Sequence, residues 1–298
     1  MVSWRQMLLR VYVMLIIRTI SELRAYRGEL TGSIGFVPTM GALHHGHIAL
    51  MTKARSITEQ LIVSIFVNPT QFAPGEDFDH YPRTWESDIK ECEQAGVDMV
   101  FAPTVEEIYS PMLVPVQINV PLLAEDLEGA YRPQFFGGVC RVVAKLLNIV
   151  QPHYACFGRK DYQQLLVVDA MVRDLAMPVS IIPVDTVREE DGLAMSSRNR
   201  YLDAQHRQHA LGLIKALRQA NRMVQQDGET DPAIVQSAMH STLVAHHFQV
   251  DYAVVRHPRT LKPVDTIDPD LTGGVVALLA GRLGDVRLID NMILCSDE

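Results

Sequence analysis

The chain has 298 residues, 48% hydrophobic and 21% charged, a balance that excludes a disordered chain and allows one large globular domain or two ordinary ones. Its formal net charge of −8 excludes a role in coating nucleic acid, which needs stripes of Lys and Arg. Cys92, Cys140, Cys156 and Cys295 are widely spaced, with no C-x-x-C pair and no metal-ligand spacing, and are read as free thiols in a reducing compartment.

Near the N-terminus, residues 7–17 are apolar apart from Arg10, but the unbroken run 11–17 is too short to span a bilayer and no small-residue cleavage site follows. A cytoplasmic protein without membrane contact is expected, with residues 1–13 as an extension of little consequence to the fold. Ser21 is placed to cap a short helix through Arg27, and 28–32 form a turn.

Residues 34–37 read as a buried strand ended by Pro38 and Gly41, and 48–54 as the start of a helix running to about 58. His44 and His47 then fall at a strand-to-helix junction, three apart and on one face of the first turn. Unpaired N–H groups there attract anions, and imidazoles beside them stabilise a breaking phosphoanhydride. The apolar run 61–67, bounded by Asn68-Pro69, has the character of a fully buried strand. A helix over 85–95 and strands over 99–101 and 114–120 follow. The recurrence of strand, helix and strand indicates a parallel sheet with ligands beyond its carboxyl ends.

A helix with a crowded apolar face runs from Phe135 to the stop at Gln151-Pro152, followed by a strand over 154–157. Gly158-Arg159-Lys160-Asp161 opens a second helix lasting to about 175. Glycine permits close backbone approach there, Lys160 is a mobile charge for phosphate, and Asp161 accepts from ribose hydroxyls. After a strand over 179–184, Met195-Ser196-Ser197-Arg198-Asn199 sets two hydroxyls beside an arginine, a combination that grips phosphate oxygens. Two long helices over 203–226 and 231–246 and three strands over 250–256, 275–280 and 285–290 suggest a separate α+β unit, with a boundary near 185–190.

From about Met14 onward the chain resembles the pantothenate synthetase family, the pantoate–β-alanine ligases of coenzyme A synthesis. The resemblance rests on Pro38-Thr39-Met40-Gly41-Ala42-Leu43-His44-His45-Gly46-His47, Phe66-Val67-Asn68-Pro69-Thr70-Gln71-Phe72, Tyr81-Pro82-Arg83-Thr84, residues 158–164 and Met195 to Asn199, all in the family's order. It implies an α/β fold: a Rossmann-like parallel sheet of the nucleotidylyltransferase type over 1–185 and a smaller C-terminal α+β domain over 186–298. It further implies a homodimer that uses ATP, magnesium, pantoate and β-alanine by way of a pantoyl adenylate. Residues 40–47, Gly158, Arg159, Lys160, Asp161, Val187 and Met195 to Arg198 would line ATP. By the same resemblance His47 would have the proton-donor role, with His44, Lys160, Ser196, Ser197 and Arg198 stabilising charge. Gln71, Gln164 and Asn68 would hold pantoate.

Three positions depart from the family's usual residues. His45 stands in place of an acid and Arg159 in place of Glu, each adding positive charge beside the phosphates. Thr70 in place of Met puts a hydroxyl next to the pantoate contact. The family's acidic cluster is reduced to Glu86, Ser87 and Asp88, of which Asp88 is the metal-ligand candidate. An alternative is a nucleotidylyltransferase acting on a phosphorylated acceptor, against which the neutral Gln71 and Gln164 argue. A non-enzymatic ATP-binding protein would be marked by loss of a histidine or of Lys160, and all are present.

Overall fold

The computed structural model describes residues 14–73, 76, 78–268 and 274–294; the expected extension 1–13 and Cys295 lie outside them. Its first part runs β1 (Leu15–Ile17), α1 (Ile20–Glu29), β2 (Ile34–Thr39), α2 (His45–Ile57), β3 (Gln60–Ile65), α3 (Trp85–Gln94) and β4 (Met99–Phe101). Short helices α4 (Val105–Ile108), α5 (Pro121–Ala124) and α6 (Glu128–Tyr131) precede α7 (Phe135–Val150), β5 (Tyr154–Gly158), α8 (Tyr162–Asp174) and β6 (Ser180–Val184). The six strands pair in parallel in the order β1-β4-β3-β2-β5-β6. The chain leaves β2 towards β3 on one side and β5 towards β6 on the other, so a crevice opens beyond the carboxyl ends of β2 and β5.

Both faces of this sheet are covered, which explains its unbroken apolar strands. Ile34, Phe36 and Ile62 pack into the cluster built on α7, while Val37, Leu61 and Val63 pack with Met51 and Ala54 of α2 and Cys92 of α3. Cys92, Cys140 and Cys156 are free and buried, and burial pushes their thiols up to about 12, 11 and 11. They are inert at neutral pH.

Several expectations are corrected. Thr19, not Ser21, caps α1: its hydroxyl accepts from Glu22 N (3.3 Å), and the Glu22 carboxylate accepts from Thr19 N (3.3 Å). Strand β2 continues past Pro38 to Thr39, because its pairing with β5 ends at Phe36 and that neighbour makes no demand on the missing N–H. No strand forms over 114–120. Met112, Val114 and Val116 are exposed there, since the segment meets no free sheet edge and Pro115 removes a donor.

The remainder contains α9 (Ala204–Ala210), α10 (Gly212–Gln225), α11 (Pro232–Ala245) and an antiparallel sheet β7 (Gln249–Arg256), β8 (Val275–Leu283) and β9 (Val286–Leu294) in that order. The helix expected over 203–226 breaks at Leu211, before the weak helix former Gly212. Along β8, Val275, Ala277 and Leu279 pack with Leu213 and Leu217 of α10, while Val276 and Leu278 pack with Leu127 and Tyr162 of the first part. That second contact seats the small sheet over the crevice.

Candidate active site

A cavity of about 680 Å³ lies in this crevice. Its wall includes Met40, His44, Gly46 and His47 after β2, Asn68 and Gln71 after β3, and Gly158, Lys160, Asp161 and Gln164 after β5. Val187, Met195, Ser196, Ser197 and Arg198 line it as well. Most of the expected site residues, drawn from five separate blocks, therefore meet in one space. Gly41, Ala42, Leu43, His45, Arg159 and Asp88 do not line it.

Local geometry explains the histidine motif. The His44 ring folds back so that Nδ1 accepts from Gly46 N (3.1 Å), and His47 Nδ1 accepts from His44 N (3.3 Å). A Cβ at residue 46 would lie 2.8 Å from the His44 ring, so this fold-back requires glycine. The ring centroids are 4.2 Å apart. His47 N and Ile48 N both donate to His44 O, which means the first-turn amides are largely spent within the helix instead of remaining open to an anion. The free donors are the ring Nε2–H groups, because a neutral imidazole accepting at Nδ1 is protonated at Nε2. Burial, together with the Lys160 cation, pushes His44 down to about 4; burial and the neighbouring His44 push His47 down to about 3. Both rings are neutral donors at pH 7.

Asp88 proves to be a structural residue. It is buried, and its carboxylate accepts from Ala42 N (3.0 Å), Leu43 N (2.8 Å) and Thr84 Oγ1 (3.0 Å). These bonds hold a loop in which Gly41 and Ala42 have φ of 81° and 52°. Three hydrogen bonds thus occupy most of that carboxylate's acceptor sites, and no cluster of three or more His, Cys, Asp or Glu among the described residues is arranged to hold a metal.

Asn68 is likewise engaged. Its Oδ1 accepts from Thr70 N, Thr70 Oγ1 and Tyr109 OH, and its Nδ2 donates to Gly138 O (3.2 Å) and Gln71 Oε1 (3.1 Å). With both amide hydrogens spent, Asn68 positions Gln71 and has no donor for a ligand. The Thr70 hydroxyl serves that network and does not face the cavity. Gln164 has no side-chain hydrogen-bond partner among the described residues, so its whole amide is open to a bound molecule.

Lys160 Nζ lies 3.3 Å from Asp161 Oδ1 and faces the cavity, while Arg159 pairs with the wall residue Asp185 (3.4 Å) without lining the cavity itself, and His45 is exposed. Neither departure residue lines the cavity. Ser196 Oγ accepts from Arg198 N (3.3 Å), and Asn199 Nδ2 ties this turn to Glu189 (2.8 Å).

The sequence reading missed the side of the cavity formed by Glu128, Arg132, Tyr252 and Arg287. Arg287 grips Glu128 with two bonds of 2.7 Å and Asp251 with another, and Tyr252 OH donates to Glu128 (2.8 Å). Arg132 makes two bonds of 2.8 Å to Glu76. A single sequence holds no signal for partners so far apart along the chain.

Residues 15–293 match the family model for pantoate-beta-alanine ligase. The chain is 49% identical over 286 residues to a pantothenate synthetase of Pseudomonas putida (strain W619), covering 95% of this chain and 98% of that protein. A crystal structure of pantothenate synthetase from Thermus thermophilus superposes with a TM-score of 0.86 at 47% identity, over 94% of this chain and 99% of that one. Another, of pantoate-beta-alanine ligase from Francisella tularensis complexed with beta-gamma ATP and beta-alanine, superposes with a TM-score of 0.77 at 35% identity, over 94% and 98% of the two chains.

Proposed function

The chain belongs to the pantoate–β-alanine ligase family, and on that premise we propose that it joins pantoate to β-alanine through a pantoyl adenylate formed in the cavity described above. In the first step a pantoate carboxylate oxygen attacks the α-phosphorus of ATP, and the bond to pyrophosphate breaks. In the second the β-alanine amine attacks the acyl carbon, the bond to the AMP oxygen breaks, and the amine releases a proton. The carboxylate is already ionised at neutral pH, so the first step needs no base. What it needs is alignment and neutralisation of phosphate charge.

The observation that carries this reading is the convergence of neutral His44 and His47 with Lys160, Ser196, Ser197 and Arg198 on one cavity that also contains Gln71 and Gln164. A neutral His47 serves by donating its Nε2–H to a phosphate oxygen. Lys160 and Arg198 supply charge, and Val187 and Met195 lie on the adenine side. The open amide of Gln164 and the fixed amide of Gln71 suit a ligand with a carboxylate and hydroxyls.

Magnesium enters this reading as the counter-ion that ATP phosphates carry. The reading places the enzyme in the cytoplasm; among the described residues no helix is long and apolar enough to cross a membrane. It divides the chain into units 1–185 and 186–298 and includes a homodimer, in which a second copy would cover the exposed Met112, Leu113, Val114 and Val116. The test is to measure AMP and pyrophosphate from ATP with pantoate, with and without β-alanine. Pyrophosphate that needs pantoate, and AMP release that further needs β-alanine, are expected. Equal turnover without pantoate refutes the proposal.

A further inference from the structure

Asn291 stands on β9 of the C-terminal sheet, 131 positions from Lys160 along the chain, yet its Nδ2 donates to the main-chain carbonyls of Arg159 (3.0 Å) and Lys160 (2.8 Å). Two carbonyl acceptors can be met only by the amide's N–H₂ end, so the orientation of this side chain is unambiguous. It is only 7% exposed, leaving water little access to replace it. The turn it holds, Arg159–Asp161, is a single 3₁₀ turn between β5 and α8, and so short a turn leaves carbonyls to be satisfied from outside.

The preceding residue supports another segment of the cavity wall. Asp290 is buried and takes two bonds from Arg188 (2.7 and 3.0 Å), whose guanidinium also donates to Gly192 O (3.1 Å). Arg188 in turn bridges to Ala194, just before the Met195 to Arg198 segment. Successive side chains on a strand point to opposite faces, which is how two adjacent residues reach two different segments.

We propose that Asn291 is a positioning residue, which sets the height of the Arg159–Asp161 turn so that the Lys160 ammonium meets the bound nucleotide. The inference rests on reading the cavity as an ATP site. Without Asn291, two carbonyls lose their donors, the turn relaxes, and Lys160 loses an attraction that weakens with distance. Asn291 thereby makes ATP affinity depend on how the C-terminal sheet is seated.

The test titrates ATP and pantoate separately, by calorimetry, into the parent, Asn291→Ala, Lys160→Ala and the double variant. Asn291→Ala should weaken ATP about tenfold. Pantoate binding should change little, and the double variant should bind ATP no worse than Lys160→Ala alone. Unchanged ATP affinity, a loss shared equally by pantoate, or a loss fully additive to that of Lys160→Ala each overturns the proposal. If Asn291→Ala does not fold, Asn291→Ser, which keeps one donor, carries the same comparison. Amide hydrogen exchange over 158–162 adds a readout independent of any ligand: faster exchange in the variant is expected, and unchanged exchange overturns the clamp. A parent that binds no ATP removes the functional reading instead, a result distinct from either.

Discussion

Replacing Asp88 with asparagine puts an acceptor and a donor where two acceptors now face three donors. If the amide oxygen takes the place that meets Leu43 N and Thr84 Oγ1, the new NH₂ confronts Ala42 N–H across the present 3.0 Å contact. One charge-assisted bond is lost and a buried donor is left opposed, for a total of about 2–4 kcal/mol. The loss falls on a loop with two positive-φ residues in succession, Gly41 and Ala42. Urea unfolding of Asp88→Asn at neutral pH should show this deficit, while the magnesium concentration for half-maximal adenylate formation should match that of the parent. Parental stability combined with a raised magnesium requirement would refute the structural assignment and restore Asp88 as a metal ligand.

The histidine pair makes two linked predictions. Both rings take a proton less readily folded than unfolded, since their values fall from 6.5 to about 4 and about 3. Their contribution to stability is therefore complete above about pH 6.5 and is lost as the pH falls towards the folded values. Nitrogen NMR of the free enzyme should find both rings neutral and protonated at Nε2 at pH 6, and the stability lost between pH 7 and pH 5 should shrink in a His44→Gln/His47→Gln variant; a ring titrating near 6.5 contradicts this. For the substrate side, Gln164→Ala should lower pantoate affinity roughly ten- to hundredfold and leave ATP affinity nearly unchanged. Equal losses for both ligands would move Gln164 to the nucleotide or to the scaffold.

Wherever the governing interactions are local, the residues themselves are informative. Strand and helix segments such as those expected over 61–67 and 135–150, observed over Gln60–Ile65 and Phe135–Val150, follow from apolar period and length, and the motif His44-His45-Gly46-His47 contains its own geometry: glycine lets the first ring fold back, and three-residue spacing brings the second beside it. The ordered blocks from Pro38 to Asn199 carry the resemblance to the family and with it the fold class; four of the five lie at a strand end or helix start of the parallel sheet, and Met195 to Asn199 follows it. Pairing between distant elements is another matter. Residues 114–120 have the composition of a strand, and whether they form one depends on a pairing partner, which the fold does not give them although β1 and β6 are edge strands. Asp88 has the chemistry of a metal ligand and Asn68 that of a substrate contact, yet each is consumed by neighbours whose approach no local pattern records. Likewise Arg287 with Glu128, and Asn291 with the Lys160 turn, are meetings made only when β8 packs its second face on Tyr162 and Leu127. A side chain's chemistry is a property of its residue type and is legible in the sequence; which of its hydrogen bonds remain open to a ligand is settled by the three-dimensional packing that occupies the others.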